Sequence, residues 1–255
     1  MACRVFGGAT GGENAFTKEG KVRNKIGALF LAVVLCLLGS AYAGAGQMAS
    51  EIREVEPFDR VSMKGAGTLY VSQGQPHEVR LEAEEDKLAQ VRTYVENGRL
   101  IIDRKSSFFS GSFEVKAYVR LPKVKGLGVS GSVQIKGETA LTSAELFLSG
   151  SGSTSIELDL KVNRLHTSLA GSGLARLKGE AATHTFSASG SAKLAAFELA
   201  TKRTGIKLSG SGNAEINVSD EVSIKASGSS TVYLKGRARV KEMKTSGASK
   251  LKRVD

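Results

Sequence analysis

FSASGSAKLAAFELATKRTGIKLSGSGNAEINVSDEVSIKASGSS, residues 186–230, holds three copies of a small-Gly-small triplet, centred on Gly190, Gly210 and Gly228. Working outward, the triplet recurs at Gly131, Gly150 and Gly171 on one side and at Gly247 on the other, giving spacings of 19, 21, 19, 20, 18 and 19 residues. An eighth copy, Lys64-Gly65-Ala66, stands upstream. Four residues before the glycine come Val61, Leu127, Leu146, Thr167, Phe186, Ile206, Ile224 and Met243; four after it come Leu69, Ile135, Thr154, Ala175, Leu194, Ala214, Val232 and Leu251. Even offsets are mostly apolar, whereas odd offsets carry Ser, Lys, Arg, Glu and Asn. A period of two is that of a half-buried strand, not a helix.

Short strands that cannot bury a face alone, repeated at a constant period, form a solenoid in which each coil stacks on the last. The coils leave no room for crossover helices, so the strands pair in parallel, about 4.8 Å apart. The glycine falls on the inward parity, where the chain bends or closely approaches the next wall. The expected fold is all-β, a right-handed parallel β-helix-like solenoid of about 19–20 residues per coil. The right hand is preferred because the six-residue rhythm of left-handed β-helices is missing. An antiparallel sandwich is the alternative, but it does not require one triplet at one corner.

The whole chain has 255 residues, 41% hydrophobic and 24% charged, with 30 glycines, 3 prolines and no tryptophan. This balance excludes disorder and collagen. Lys18, Lys21, Arg23 and Lys25 precede the apolar run Ile26 to Gly39, and Ala41-Tyr42-Ala43 follows. A basic start, a short apolar run and an A-x-A site read as a secretory signal over 1–43, too short for a permanent span of roughly 20 residues. Residues 44–53 read as a short flexible lead and 54–255 as one domain. Both cysteines, Cys3 and Cys36, fall inside the signal, so the mature chain is expected to have neither disulfides nor thiol chemistry. Losing five basic and two acidic residues leaves 31 Lys+Arg against 23 Asp+Glu, a net +8. The expected location is exported: periplasm, outer envelope or secreted.

Between Gly67 and Gly126 the repeat loosens. Asn97-Gly98, between Tyr94-Val95-Glu96 and Arg99 to Arg104, is the strongest hairpin signal in the chain, and Phe113 to Leu121 reads as another strand. This segment is expected to cover one end of the stack. The opening Arg60-Val61-Ser62-Met63-Lys64-Gly65-Ala66-Gly67, then Asp86-Lys87-Leu88, Val95-Glu96-Asn97-Gly98-Arg99-Leu100-Ile101-Ile102 and the Ser-Gly-Ser coils resemble the head GIN domain of bacterial auto-transporter-type adhesins. The resemblance runs over about residues 54–250 and implies an exported β-solenoid with an adhesive role. It departs from a conventional autotransporter, whose C-terminal membrane barrel has no counterpart before Asp255.

Chemistry is sparse. His166 and His184 lie five and six residues before their glycines, hence on opposite parities, and with His77 they read as surface or edge residues rather than metal ligands. Glu138 and Glu157, both seven after their glycines, form an isolated acidic pair on a solvated face, and Asp159 does not change that reading. The sequence has no G-x-S-x-G elbow, phosphate loop or H-E-x-x-H. No cofactor or metal is expected, and the chain reads as a non-enzymatic binding, adhesion or envelope module. The alternative is a polysaccharide-processing enzyme on a β-helix, which would need a carboxylate cluster.

Two surface features remain. Ser130, Ser149, Ser189, Ser209, Ser227 and Ser246 precede the glycine and form a hydroxyl ladder; the bland reading is that serine suits a tight corner. From Lys235 to Asp255 there are eight basic and two acidic residues. Of these, Arg237, Arg239, Lys244, Lys250 and Lys252 are expected to share one face and to contact a polyanion; a plain solubilising cap is the alternative. The expected partner is an anionic polysaccharide, lipopolysaccharide or another envelope component, with no nucleic acid and no stable membrane span after signal cleavage.

Overall fold

The computed structural model describes residues 47–104 and 113–255, so the expected signal lies outside the described residues. The repeat region is a ladder of long bent strands: β7 (Gly126–Gly137), β8 (Leu141–Gly152), β9 (Ser155–Gly171), β10 (Leu174–Gly190), β11 (Lys193–Gly210) and β12 (Asn213–Gly228). Each pairs in parallel with the next. Residue i of one coil lies beside the residue about 19 positions on, so the chain closes a circuit in each period. The result is a β-solenoid of about seven turns. The stack ends in shorter strands, β13 (Thr231–Lys235), β14 (Arg239–Gly247) and β15 (Lys250–Val254): β13 and β14 each pair with β12, and β15 pairs with β13 one period further on.

Inward positions form the predicted columns. Val61, Leu127, Leu148, Phe186, Ile206 and Ile224 succeed one another in register and are all buried. Thr167 fills the one polar position among them. Burial of such side chains, about 1.5–3 kcal/mol each, supplies most of the driving force in a domain that needs no rings larger than a few Phe and Tyr.

The register corrects one step of the sequence reading. The corner glycine of the second coil is Gly152, paired with Gly131 and Gly171, and not Gly150. Gly152 has φ +96°, like the other corner glycines, whereas Gly150 lies two residues earlier, over Thr154 and Leu169. The spacings are therefore 21, 19, 19, 20, 18 and 19, and Ser151, not Ser149, stands in the ladder.

The other end is capped. β2 (Arg60–Gln73) pairs along its length with β7. Its far edge is covered in halves: by β5 (Arg99–Arg104) over Arg60–Met63 and by β6 (Val115–Leu121) over Gly67–Gln73. β4 (Val91–Glu96) makes the expected hairpin with β5 through Asn97 and Gly98, whose φ values of 51° and 70° fit a type I′ turn. β3 (Glu78–Glu84) pairs antiparallel with β6, the short helix α1 (Glu85–Leu88) follows, and β1 (Met48–Ile52) pairs antiparallel with β3. The stretch expected to be a flexible lead thus contains the outermost strand of the cap.

Candidate functional site

The wall leading into each corner glycine presents side chains at one, three and five residues before it. Parallel pairing brings equivalent positions to about 4.8 Å from coil to coil. Three before the glycine, Ser149, Ser168, Ser187, Lys207, Lys225 and Lys244 form one row. One before it stand Ser130, Ser151, Ala170, Ser189, Ser209, Ser227 and Ser246. Of the six serines expected in the hydroxyl ladder, five hold that position; Ser149 is displaced into the adjacent row, beside Gly128 and Ser168, because its coil turns at Gly152. Ala170 interrupts the ladder.

Between the two rows runs a trough of about 570 Å³, floored by Leu169, Ala188, Leu208 and Ala226 and edged by the three lysines and the serines. Lys207, Lys225 and Lys244 are all exposed. Lys244 and Lys225 approach Glu242 at 2.9 and 3.5 Å. The hydrogen bond from Lys244, with the charges of Lys225 and Lys244, holds the Glu242 carboxyl below its ordinary range. Lys207 has no carboxylate within ion-pair distance among the described residues, so the trough keeps a surplus of positive charge.

The basic tail is divided, contrary to expectation. Arg239 is held by Glu221 at 3.1 Å, and Lys241 reaches the same carboxylate at 3.0 Å. Lys250 and Lys252 extend from β15, beyond the Gly247 corner, in register with Thr231 and Tyr233; the Lys252 ammonium lies 5.7 Å from the Tyr233 ring centre. Arg237 sits in the connection between β13 and β14. The corner sends residues on its two sides to different walls, so of the five basic residues singled out only Lys244 enters the trough. The row it joins is visible in the sequence as Lys207, Lys225 and Lys244, each three before a glycine, but the clustered charge of the tail obscures it.

The acidic pair also separates. With Gly152 as the corner, Glu157 is five residues beyond its glycine and lies in register between Lys136 and Arg176, whose guanidinium it meets at 2.8 Å. Glu138 therefore does not stack on it, although both border a cavity of about 520 Å³. Asp159 is taken by Lys178 at 3.4 Å. The two histidines do point to opposite sides. His166 faces outward, bonded to Glu145 at 3.2 Å and stacked on Phe147, whereas His184 is buried against Thr167 and is not a surface residue. Among the described residues no group of three or more His, Cys, Asp or Glu is placed to hold a metal.

The family described as "putative auto-transporter adhesin, head GIN domain" matches residues 57–238. The chain belongs to the head GIN domain family. Its match ends at Ala238, so β14 and β15, with four of the five expected tail contacts, lie beyond the part that the family shares. Solved structures share this fold. A "putative adhesin" from Bacteroides fragilis superposes with a TM-score of 0.75 at 18% identity, covering 82% of this chain and 98% of that one. A "putative lipid binding protein" from Parabacteroides distasonis gives 0.67 at 19% identity, covering 83% and 98%. A "putative adhesin" from Parabacteroides merdae gives 0.66 at 19%, with the same coverage. No curated protein matches the chain.

Proposed function

We propose that this head GIN domain is an exported, non-enzymatic binding module that takes a linear anionic polymer of the cell envelope along its serine and lysine wall. The observation that carries the reading is the row Lys207, Lys225 and Lys244, one cation per coil, beside a parallel row of hydroxyls across a trough. Charges one coil apart lie well within a Debye length of roughly 8–10 Å, so their potentials add. A polymer with an anionic group on each repeat of similar length meets one lysine per repeat. Hydroxyls two residues along the strand then supply hydrogen bonds to its uncharged oxygens. The adhesin descriptions of the family and of its structural neighbours support a binding role. The ion pairing of Glu157 and Asp159 argues against the enzyme alternative, since neither stands free for proton transfer.

Binding to polygalacturonate and to lipopolysaccharide, compared at low and high salt, tests this. Lys207→Ser with Lys225→Ser and Lys244→Ser is expected to weaken binding at least about tenfold, from a starting affinity that itself falls steeply with salt. The tail variant Arg237→Ser, Arg239→Ser, Lys250→Ser, Lys252→Ser is expected to change it less than threefold or so. The opposite ranking moves the site to the tail. Depolymerisation of either polymer that disappears in Glu138→Gln with Glu157→Gln replaces the binding module by an enzyme.

A further inference from the structure

Nearer the cap, the same wall contains a notch. On β7 the positions five and three before the corner glycine are Gly126 and Gly128, both without side chains. A Cβ at Gly128 would lie 2.8 Å from the Ser149 hydroxyl, and one at Gly126 would lie 3.4 Å from Cγ of Arg60, whose stem crosses that glycine. The opening, about 350 Å³, is bordered by Arg60, Arg99, Ser62, Ser149 and Phe147. That volume falls in the range of small-molecule sites, roughly 300–1,000 Å³.

Two features of the notch call for a ligand of definite chemistry. Arg60 and Arg99 are direct register partners on adjacent strands, and like charges so placed repel. Three other arginines of the coils meet a carboxylate on the neighbouring strand, Arg164 with Glu145 at 3.0 Å, Arg176 with Glu157 at 2.8 Å and Arg239 with Glu221 at 3.1 Å, whereas Arg203 on β11 has no such pair among the described residues. Arg60 and Arg99 have none within ion-pair distance among the described residues, and the adjacent Asp59 is taken by Lys125 at 2.5 Å. The second feature is Phe147, 48% exposed on a wall of hydroxyls and charges. Its ring lies flat on His166, with centres 4.7 Å apart and planes 10° apart, and His166 is anchored to Glu145 at 3.2 Å. One face of Phe147 is thus backed by His166, and its register neighbour on the other side is Gly126, so the free face borders the notch.

We infer that the notch is a subsite for a carboxylate-bearing sugar ring. The ring's C–H face packs on Phe147, its carboxylate is held by the planar donors of Arg60 and Arg99, and its hydroxyls meet Ser62 and Ser149. An inorganic anion has no use for the aromatic face, and a neutral sugar has no use for two guanidinium groups. For its ligand class this rests on the anionic-polymer reading above, but it uses different residues: Lys207 is three strands from Phe147, about 14 Å along the stack.

Digalacturonate, too short to engage both places fully, separates the two. Titrated into the purified protein and followed by NMR, it is expected to bind the wild type, to lose at least tenfold in affinity in Arg99→Ser and in Phe147→Ala, and to bind the Lys207, Lys225 and Lys244 triple variant within about twofold of wild type. Neutral digalactose is expected not to bind. No binding of digalacturonate to the wild type overturns the subsite, as does unchanged affinity in both single variants. Inorganic phosphate competing equally well in wild type and Phe147→Ala also overturns it, leaving only an anion contact. Loss of digalacturonate in the lysine triple, with Arg99→Ser unaffected, places the sugar in the trough and overturns the notch while sparing the polymer reading. Intact digalacturonate binding with no polymer binding does the reverse.

Discussion

Gly131→Ala is expected to destabilise the domain by about 2–5 kcal/mol, a large share of the roughly 5–15 kcal/mol by which a folded domain is ordinarily stable. Gly131 holds φ at +101°, where a Cβ costs about 1–2 kcal/mol. That Cβ would also lie 2.3 Å from the carbonyl oxygen of Gly65 in the neighbouring coil. The obstacle is backbone, so no side-chain rotation relieves it, and the displacement costs a further 1–3 kcal/mol or so. Nor can Gly131 retreat freely, because its own carbonyl accepts the N–H of Ser153 at 3.0 Å in the following coil. Gly205→Ala is the control. Its Cβ would meet nothing within 4 Å, and the residue lies outside the positive-φ region. There the substitution removes freedom from the unfolded chain and is expected to be neutral or stabilising by up to about 1 kcal/mol. Urea denaturation of both variants decides the matter. A loss under about 1 kcal/mol in Gly131→Ala contradicts the corner packing.

These two glycines also show how far the sequence could be read. Period and parity were legible because burial imposes them: Phe186, Ile206 and Ile224 stand at one offset because one interior column accepts them. The Asn97-Gly98 hairpin was legible because few other residues tolerate its two positive φ angles. Gly150 and Gly152 could not be told apart in Ser-Gly-Ser-Gly-Ser, where both match the triplet and only the φ angle and the pairing across coils distinguish them. From that two-residue slip follow the misplacement of Ser149 in the ladder and of Glu157 beside Glu138. The strand Met48–Ile52 was hidden because its partner, β3, lies some 30 residues away and its own side chains are mostly exposed. The division of the tail is not legible for a different reason: parity says whether a residue faces out, but not which wall it faces out from. Phe147 stands at an odd, outward offset under either register, three before Gly150 or five before Gly152, so parity marks it as exposed; what the slip conceals is that its register neighbour is Gly126 and not Gly128.

His184 is expected to give the domain an acid-labile step that a carboxylate-only account would place at lower pH. Its ring is buried at the inward position occupied by Leu146, Leu165 and Thr204 in neighbouring coils, with Thr167 Oγ1 at 3.1 Å as its hydrogen-bond partner. Burial, with a smaller contribution from His166, pushes its pKa down to about 3. The unfolded chain, with an ordinary value near 6.5, takes up the proton first. The stability that comes from keeping this ring neutral is therefore complete above about pH 6.5. It declines by up to roughly 1.4 kcal/mol per pH unit as the pH falls, and is exhausted below about pH 3, a total on the order of 4–5 kcal/mol. Glu145, Glu221 and Glu242, whose pKa values are lowered by their hydrogen-bonded cations, lose their contributions only as the pH falls below the usual carboxylate range. The interval from pH 6.5 to 5 thus isolates the histidine. Replacing it by leucine restores the residue type of the two preceding coils, and changing Thr167→Val at the same time avoids leaving a buried hydroxyl without its partner. Urea denaturation of wild type and the His184→Leu, Thr167→Val variant across pH 7.5 to 4.5 should give curves that diverge below about pH 6.5, with the variant flatter. Parallel curves over that interval would mean that the ring reaches solvent or a counter-charge when protonated, and that the solenoid interior yields at that coil.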